Sequence, residues 1–99
     1  MKAKIERSPQ VAGDIDDIWL SIAIDNVRAA DRIIEIIAEA VERLGEFPEM
    51  GKSRGELRPN LRSWTVGDYL IFYDAAPGVV TIQRIAHGAR DLGDLLAES

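Results

Sequence analysis

The sequence predicts an α+β domain with elements in the order β-α-α-β-β-β and a short C-terminal helix. Three observations carry this. Apolar residues recur at helical spacing from Val11 to Leu44, the period switches to two from Leu61 onward, and residues 47–59, rich in Pro, Gly and charge, separate the two regimes. Such a pattern predicts an antiparallel helical hairpin covering one face of an antiparallel β-sheet. The 99 residues are read as a single domain, 1–99.

Lys2 to Arg7 alternates around Ala3 and Ile5, a short strand pattern. Ser8-Pro9 then offers an N-cap hydroxyl followed by a proline at the first helical position. Val11, Ile15, Ile18, Trp19 and Ile22 form the apolar stripe of the first helix. Asp14, Asp16 and Asp17 are read as surface charges that complement the positive end of its dipole. Asp25 or Asn26 caps the second helix, where Ala30, Ile33, Ile34, Ile37, Ala38, Val41 and Leu44 hold the period until Gly45. The short connection makes the pair antiparallel. Leu61–Val66 and Tyr69–Tyr73, joined by Gly67-Asp68, read as a hairpin. Pro77-Gly78 marks the next turn, and the β-branched run from Val79 to Ala86 pairs back along Tyr69–Tyr73. Leu92, Leu95 and Leu96 suit a helical turn or two between Arg90 and Ala97.

The chain has no cysteine, which excludes a disulfide framework, thiolate metal sites and a cysteine nucleophile. No apolar run approaches the roughly 18 to 20 residues needed to cross a bilayer. The lysines near the N-terminus lack the apolar stretch of a signal peptide, so the expected location is the cytoplasm, without membrane partners. The net charge of −5 opposes global attraction to nucleic acid or anionic lipid. That charge is unevenly placed. Residues 1–50 carry all of it, residues 51–99 are neutral, and Lys52, Arg54, Arg58 and Arg62 against Glu56 make a local +3. This basic segment is either a contact surface or a solvated loop.

His87 is the sole histidine, within Arg84-Ile85-Ala86-His87-Gly88-Ala89-Arg90-Asp91. It can exchange protons near neutrality. Without a second histidine or a relay, the structural reading, an imidazole that pins a strand end, is favoured. One histidine and scattered carboxylates give no metal-ligand spacing, and the glycines form no nucleotide-binding loop. The expectation is no metal and no cofactor. Trp64, Tyr69, Phe72 and Tyr73 lie near Arg62 and Arg84 in the strands, an arrangement that stacks on single-stranded bases in some proteins. One sheet face must pack on the helices, so most of these aromatics are assigned to the core.

Several segments together carry a resemblance: Asp-Ile-Asp-Asp-Ile-Trp at 14–19, Phe-Pro-Glu-Met-Gly-Lys at 47–52, Leu-Arg-Ser-Trp at 61–64, Tyr-Leu-Ile-Phe-Tyr at 69–73 and the closing run from Arg84 to Asp91. In that order, over nearly the whole chain, the sequence resembles the ParE branch of the ParE/RelE superfamily of type II toxin–antitoxin toxins. The resemblance implies a toxin of plasmid-stabilisation type that inhibits DNA gyrase and blocks replication. It also implies a cognate ParD-like antitoxin, bound as a hetero-oligomer. Lys52, Arg54, Arg58, Arg62, His87, Arg90 and Asp91 are then the expected target contacts. Ile22, Ile36 and Leu44 are the expected exposed docking points for the antitoxin. RelE-like relatives are instead ribosome-dependent mRNA endoribonucleases, and in that reading His87, Arg84 and Arg90 are the catalytic candidates. Leu70 stands where the nuclease branch typically has arginine, and no tyrosine follows Arg90, so the gyrase reading ranks first. A folded, non-toxic homologue that still binds antitoxin is the third reading.

Overall fold

The computed structural model describes residues 2–88, arranged as β1 (Lys4–Arg7), α1 (Gln10–Ala23), α2 (Val27–Glu46), β2 (Lys52–Ser53), β3 (Leu61–Val66), β4 (Tyr69–Ala76) and β5 (Val79–His87). The expected C-terminal helix, Arg90 and Asp91 lie outside the described residues. The strands form one sheet in the order β1-β5-β4-β3-β2. The α+β class and the strand–helix–helix–strand order are those the sequence predicts. The sheet itself is mixed. β1 runs parallel to β5, with Ile5 opposite Val80, whereas β3, β4 and β5 form an antiparallel meander and β2 adds a two-residue edge. Alternation in β1 shows which face is buried but not which strand it meets or in which direction. That choice follows from the helical hairpin carrying the chain across the sheet between β1 and the meander.

Helix α1 starts without a side-chain cap. Ser8 Oγ donates instead to the carbonyl of Gln83 at 2.6 Å, and the Ser8 N–H to Ile82 O at 2.8 Å, so the residue expected to cap the helix extends the β1–β5 seam. At α2 the predicted cap is present: Asn26 Oδ1 accepts from the Ala29 N–H at 3.0 Å. Gly45 does not stop α2, which continues to Glu46. A methyl on Gly45 would lie 2.9 Å from Ile5 Cδ1, so the glycine lets α2 approach β1, and the Ala3 N–H donates to its carbonyl at 2.8 Å.

The main core lies between the helices and one sheet face. Val11, Ile18, Ile37, Val41 and Leu44 meet Val66, Ile71, Tyr73, Val80, Ile82 and Ile85 there. Leu61, Phe72 and Ala86 pack on the opposite face. A β-bulge makes the β5 assignments possible. Phe72 pairs with Arg84 and Tyr73 with Ile82, which leaves Gln83 as an extra residue. Strict alternation would put Ile82 and Ile85 on opposite faces, and the bulge brings both into the main core.

Candidate functional site

The loop between α2 and β2 is held by two side chains from the sheet. Tyr73 Oη accepts from the Gly51 N–H and donates to Pro48 O, both at 2.8 Å. Arg62 Nη1 donates to Gly51 O at 2.8 Å. Burial pushes the Tyr73 phenol above its ordinary pKa, partly offset by the Gly51 N–H and the nearby Arg62 charge. A Cβ on Gly51 would sit 2.5 Å from Tyr73 Oη and 2.8 Å from Ser63 O, so only glycine fits this contact.

The basic segment is therefore less open than its charge suggests. Arg62 clamps the loop, Arg54 Nε donates to Ser63 Oγ at 2.8 Å, and Arg58 lies 3.6 Å from the Asp74 carboxylate. Lys52 is exposed and makes no ion pair among the described residues. Of the four cations of this basic segment, three also hold the fold together.

At the other candidate segment the structure corrects the reading of Asp14. Asp14 is 5% exposed, not a surface charge at the helix start, and Arg84 is likewise 5% exposed. Their side chains form a bidentate pair, Arg84 Nε to Asp14 Oδ2 at 2.9 Å and Nη2 to Oδ1 at 2.8 Å, and the Ile85 N–H donates to Asp14 Oδ2 at 3.0 Å. Arg84 thus joins β5 to α1, with its forked guanidinium paired to a buried carboxylate. The signal for Asp14 was present in the sequence: Val11, Asp14 and Ile18 are spaced three and four apart on one helical face, and all three are buried.

His87, by contrast, is exposed at the end of β5 and packs edge-on against the Tyr69 ring, with centroids 5.5 Å apart. Both rings line a cavity of about 300 Å³ with Asp17 and Ser21 of α1. The aromatics of the strands belong to the core, as expected: Phe72 and Tyr73 are fully buried, and Trp64 and Tyr69 are half-buried against the main cluster.

The helical hairpin offers a different apolar surface from the one expected. Leu44 is completely buried, and Ile22 and Ile36 are half-buried against the core, because each falls on the stripe that meets the sheet. The exposed apolar side chains of the hairpin are Leu20, Ile24 and Val27, the middle one 84% exposed, at the tip where α1 turns into α2. No group of three or more His, Asp or Glu side chains among the described residues is placed to hold a metal, and no described helix is long and apolar enough to cross a membrane.

A helical hairpin on one face of a five-stranded mixed sheet is an architecture shared with a solved structure titled the chromosomal ParDE TA system from P. aeruginosa. The TM-score is 0.73 at 19% identity, covering 87% of this chain and 96% of that one. Residues 5–92 match the family described as ParE toxin of type II toxin-antitoxin system, parDE. The chain belongs to this ParE toxin family. It is 30% identical to Toxin ParE3 of Caulobacter vibrioides over 96 residues, covering 96% of each chain. It is 24% identical to Toxin ParE1 of Mycobacterium tuberculosis over 95 residues, covering 93% of this chain and 96% of the relative.

Proposed function

We propose that this chain is the toxin of a type II module that stops growth by inhibiting DNA gyrase, and that a cognate ParD-like antitoxin neutralises it. Membership of the ParE family over residues 5–92 supports the toxin role. The observation that carries the choice of mechanism is the buried Asp14–Arg84 pair. Ribonuclease chemistry needs a cation placed at the phosphate as charge develops there, and Arg84, the β5 arginine, is withdrawn from solvent into an ion pair. A binding module has no such requirement. Its target surface, in this reading, comprises Lys52 and the end of β5 at His87, with Arg90 and Asp91 following in sequence.

Controlled expression without antitoxin tests this. DNA synthesis is expected to stop before translation, and the purified chain is expected to inhibit gyrase supercoiling. Immediate translational arrest with mRNA cuts in the ribosomal A site would overturn the proposal in favour of the ribonuclease. Unimpaired growth would favour the non-toxic homologue. Lys52→Glu is expected to lower toxicity while leaving the thermal melt unchanged. Arg62→Glu, which breaks the loop clamp, is expected to lower the melting temperature as well.

A further inference from the structure

A groove of about 660 Å³ runs between the loop that follows α2 and the turn joining β4 to β5. One wall is Phe47, Pro48 and Met50, and the other is Ala75, Ala76 and Pro77. Phe47 is 57% exposed at its rim. Both walls are fixed from beneath. Tyr73 Oη and Arg62 hold Pro48 and Gly51, and Gly78 O accepts from the Lys4 N–H at 2.9 Å, which ties the turn to β1. A groove whose walls are already in place loses little entropy when a partner enters.

The charge of the groove narrows what fits it. The charged side chains lining it are Glu46 and Glu49, both exposed carboxylates, and no cation lines it among the described residues. The chain's own C-terminal segment is a poor match. It departs from the opposite end of β5, about 26 Å away at the rise of a β-strand, and residues 91–99 carry Asp91, Asp94 and Glu98 with no Lys or Arg. A second copy brings a net charge of −5 toward the same carboxylates.

We infer that this groove is a docking site for a segment of the antitoxin that seats a bulky apolar side chain between the two walls and sets a Lys or Arg beside Glu46 and Glu49. The inference rests on the reading of the chain as an antitoxin-bound toxin and adds the place and chemistry of contact. Complementary charge there speeds encounter and selects the partner, while the apolar side chain supplies the holding contact.

The test is capture of the polypeptide encoded beside this chain by the full-length protein, the Glu46→Lys/Glu49→Lys double variant and Ala76→Arg, which fills the groove from an exposed position. Wild type is expected to capture it. The double variant is expected to bind about tenfold or more weakly at low salt, with the gap narrowing at high salt, and Ala76→Arg is expected to lose capture at any salt. Both variants should stay toxic when expressed alone, which shows that they fold, and should escape neutralisation. Equal capture by all three proteins would overturn the docking site while leaving the toxin reading intact. Capture of nothing by wild type would remove the partner reading on which the inference rests. Self-association of the wild type that either variant abolishes would assign the groove to a second copy and overturn the proposal.

Discussion

Asp14 and Arg84 bind each other in the protein interior, and the cost of separating them sets the first expectation. Replacing Asp14 with Ala leaves a buried guanidinium without its carboxylate and the Ile85 N–H without an acceptor. The expected loss is about 3–5 kcal/mol by denaturant unfolding. An Asp14→Leu/Arg84→Met pair removes both charges together and is expected to recover most of that loss. Tyr73→Phe removes the acceptor of a buried Gly51 N–H, with an expected cost of about 1–3 kcal/mol. Its pH dependence has a definite sign. Burial raises the folded-state pKa of Tyr73 above its unfolded value near 10.0, so the folded state favours the protonated phenol. The resulting stability is fully present below pH 10 and is lost as pH rises through the folded-state value. The stability gap between wild type and Tyr73→Phe, read from unfolding curves, is therefore expected to narrow above pH 10. Two glycines make a further contrast. Gly51→Ala meets a fixed hydroxyl and a backbone carbonyl and is expected to cost about 1–3 kcal/mol. Gly45→Ala meets mainly the flexible end of Ile5 and gains helix propensity, so its unfolding midpoint is expected to stay near that of wild type.

Elements were readable to the extent that their burial repeats locally. The stripe Ala30, Ile37, Val41 and Leu44 places α2 on the sheet, and Asn26 marks its start by a hydrogen bond that spans only three residues. Asn26→Ala is expected to lower stability by about 1 kcal/mol through the lost cap, measured by thermal unfolding. The bulge in β5 was not readable, because an extra residue has meaning only against the register of β4. Deleting Gln83 would leave Ile82 and Ile85 two positions apart, both on the core face by plain alternation. The shortened strand is expected to keep a cooperative unfolding transition while losing the bulge and the carbonyl that accepts from Ser8. Ser8 departs from its expected capping role for a related reason. Its local sequence fits a cap, and a carbonyl 75 residues away took the hydroxyl instead.

Across the whole molecule, β1 joins the chain's two halves. It pairs with β5 and is contacted by α2 at Gly45, so removing residues 1–7 would uncover the outer edge of β5 along with apolar surface. The truncated chain is expected to aggregate on size-exclusion chromatography, since an open strand edge recruits other chains. The sequence by itself determined the α+β class, the order of strands and helices, the helical hairpin, the core assignment of the aromatics and the resemblance to ParE toxins. All of these rest on local periodicity or on motifs kept in order along the chain. Tertiary structure alone decided the parallel β1–β5 pairing, the burial of Asp14 with Arg84, the capture of Arg62 by the Gly51 carbonyl and the burial of Leu44. It also decided which carboxylates border the groove beside Phe47. The physical reason is common to all of them. An ion pair, a register or a groove wall is a relation between residues far apart in the chain, and pattern within one segment carries no record of the segment that will pack against it.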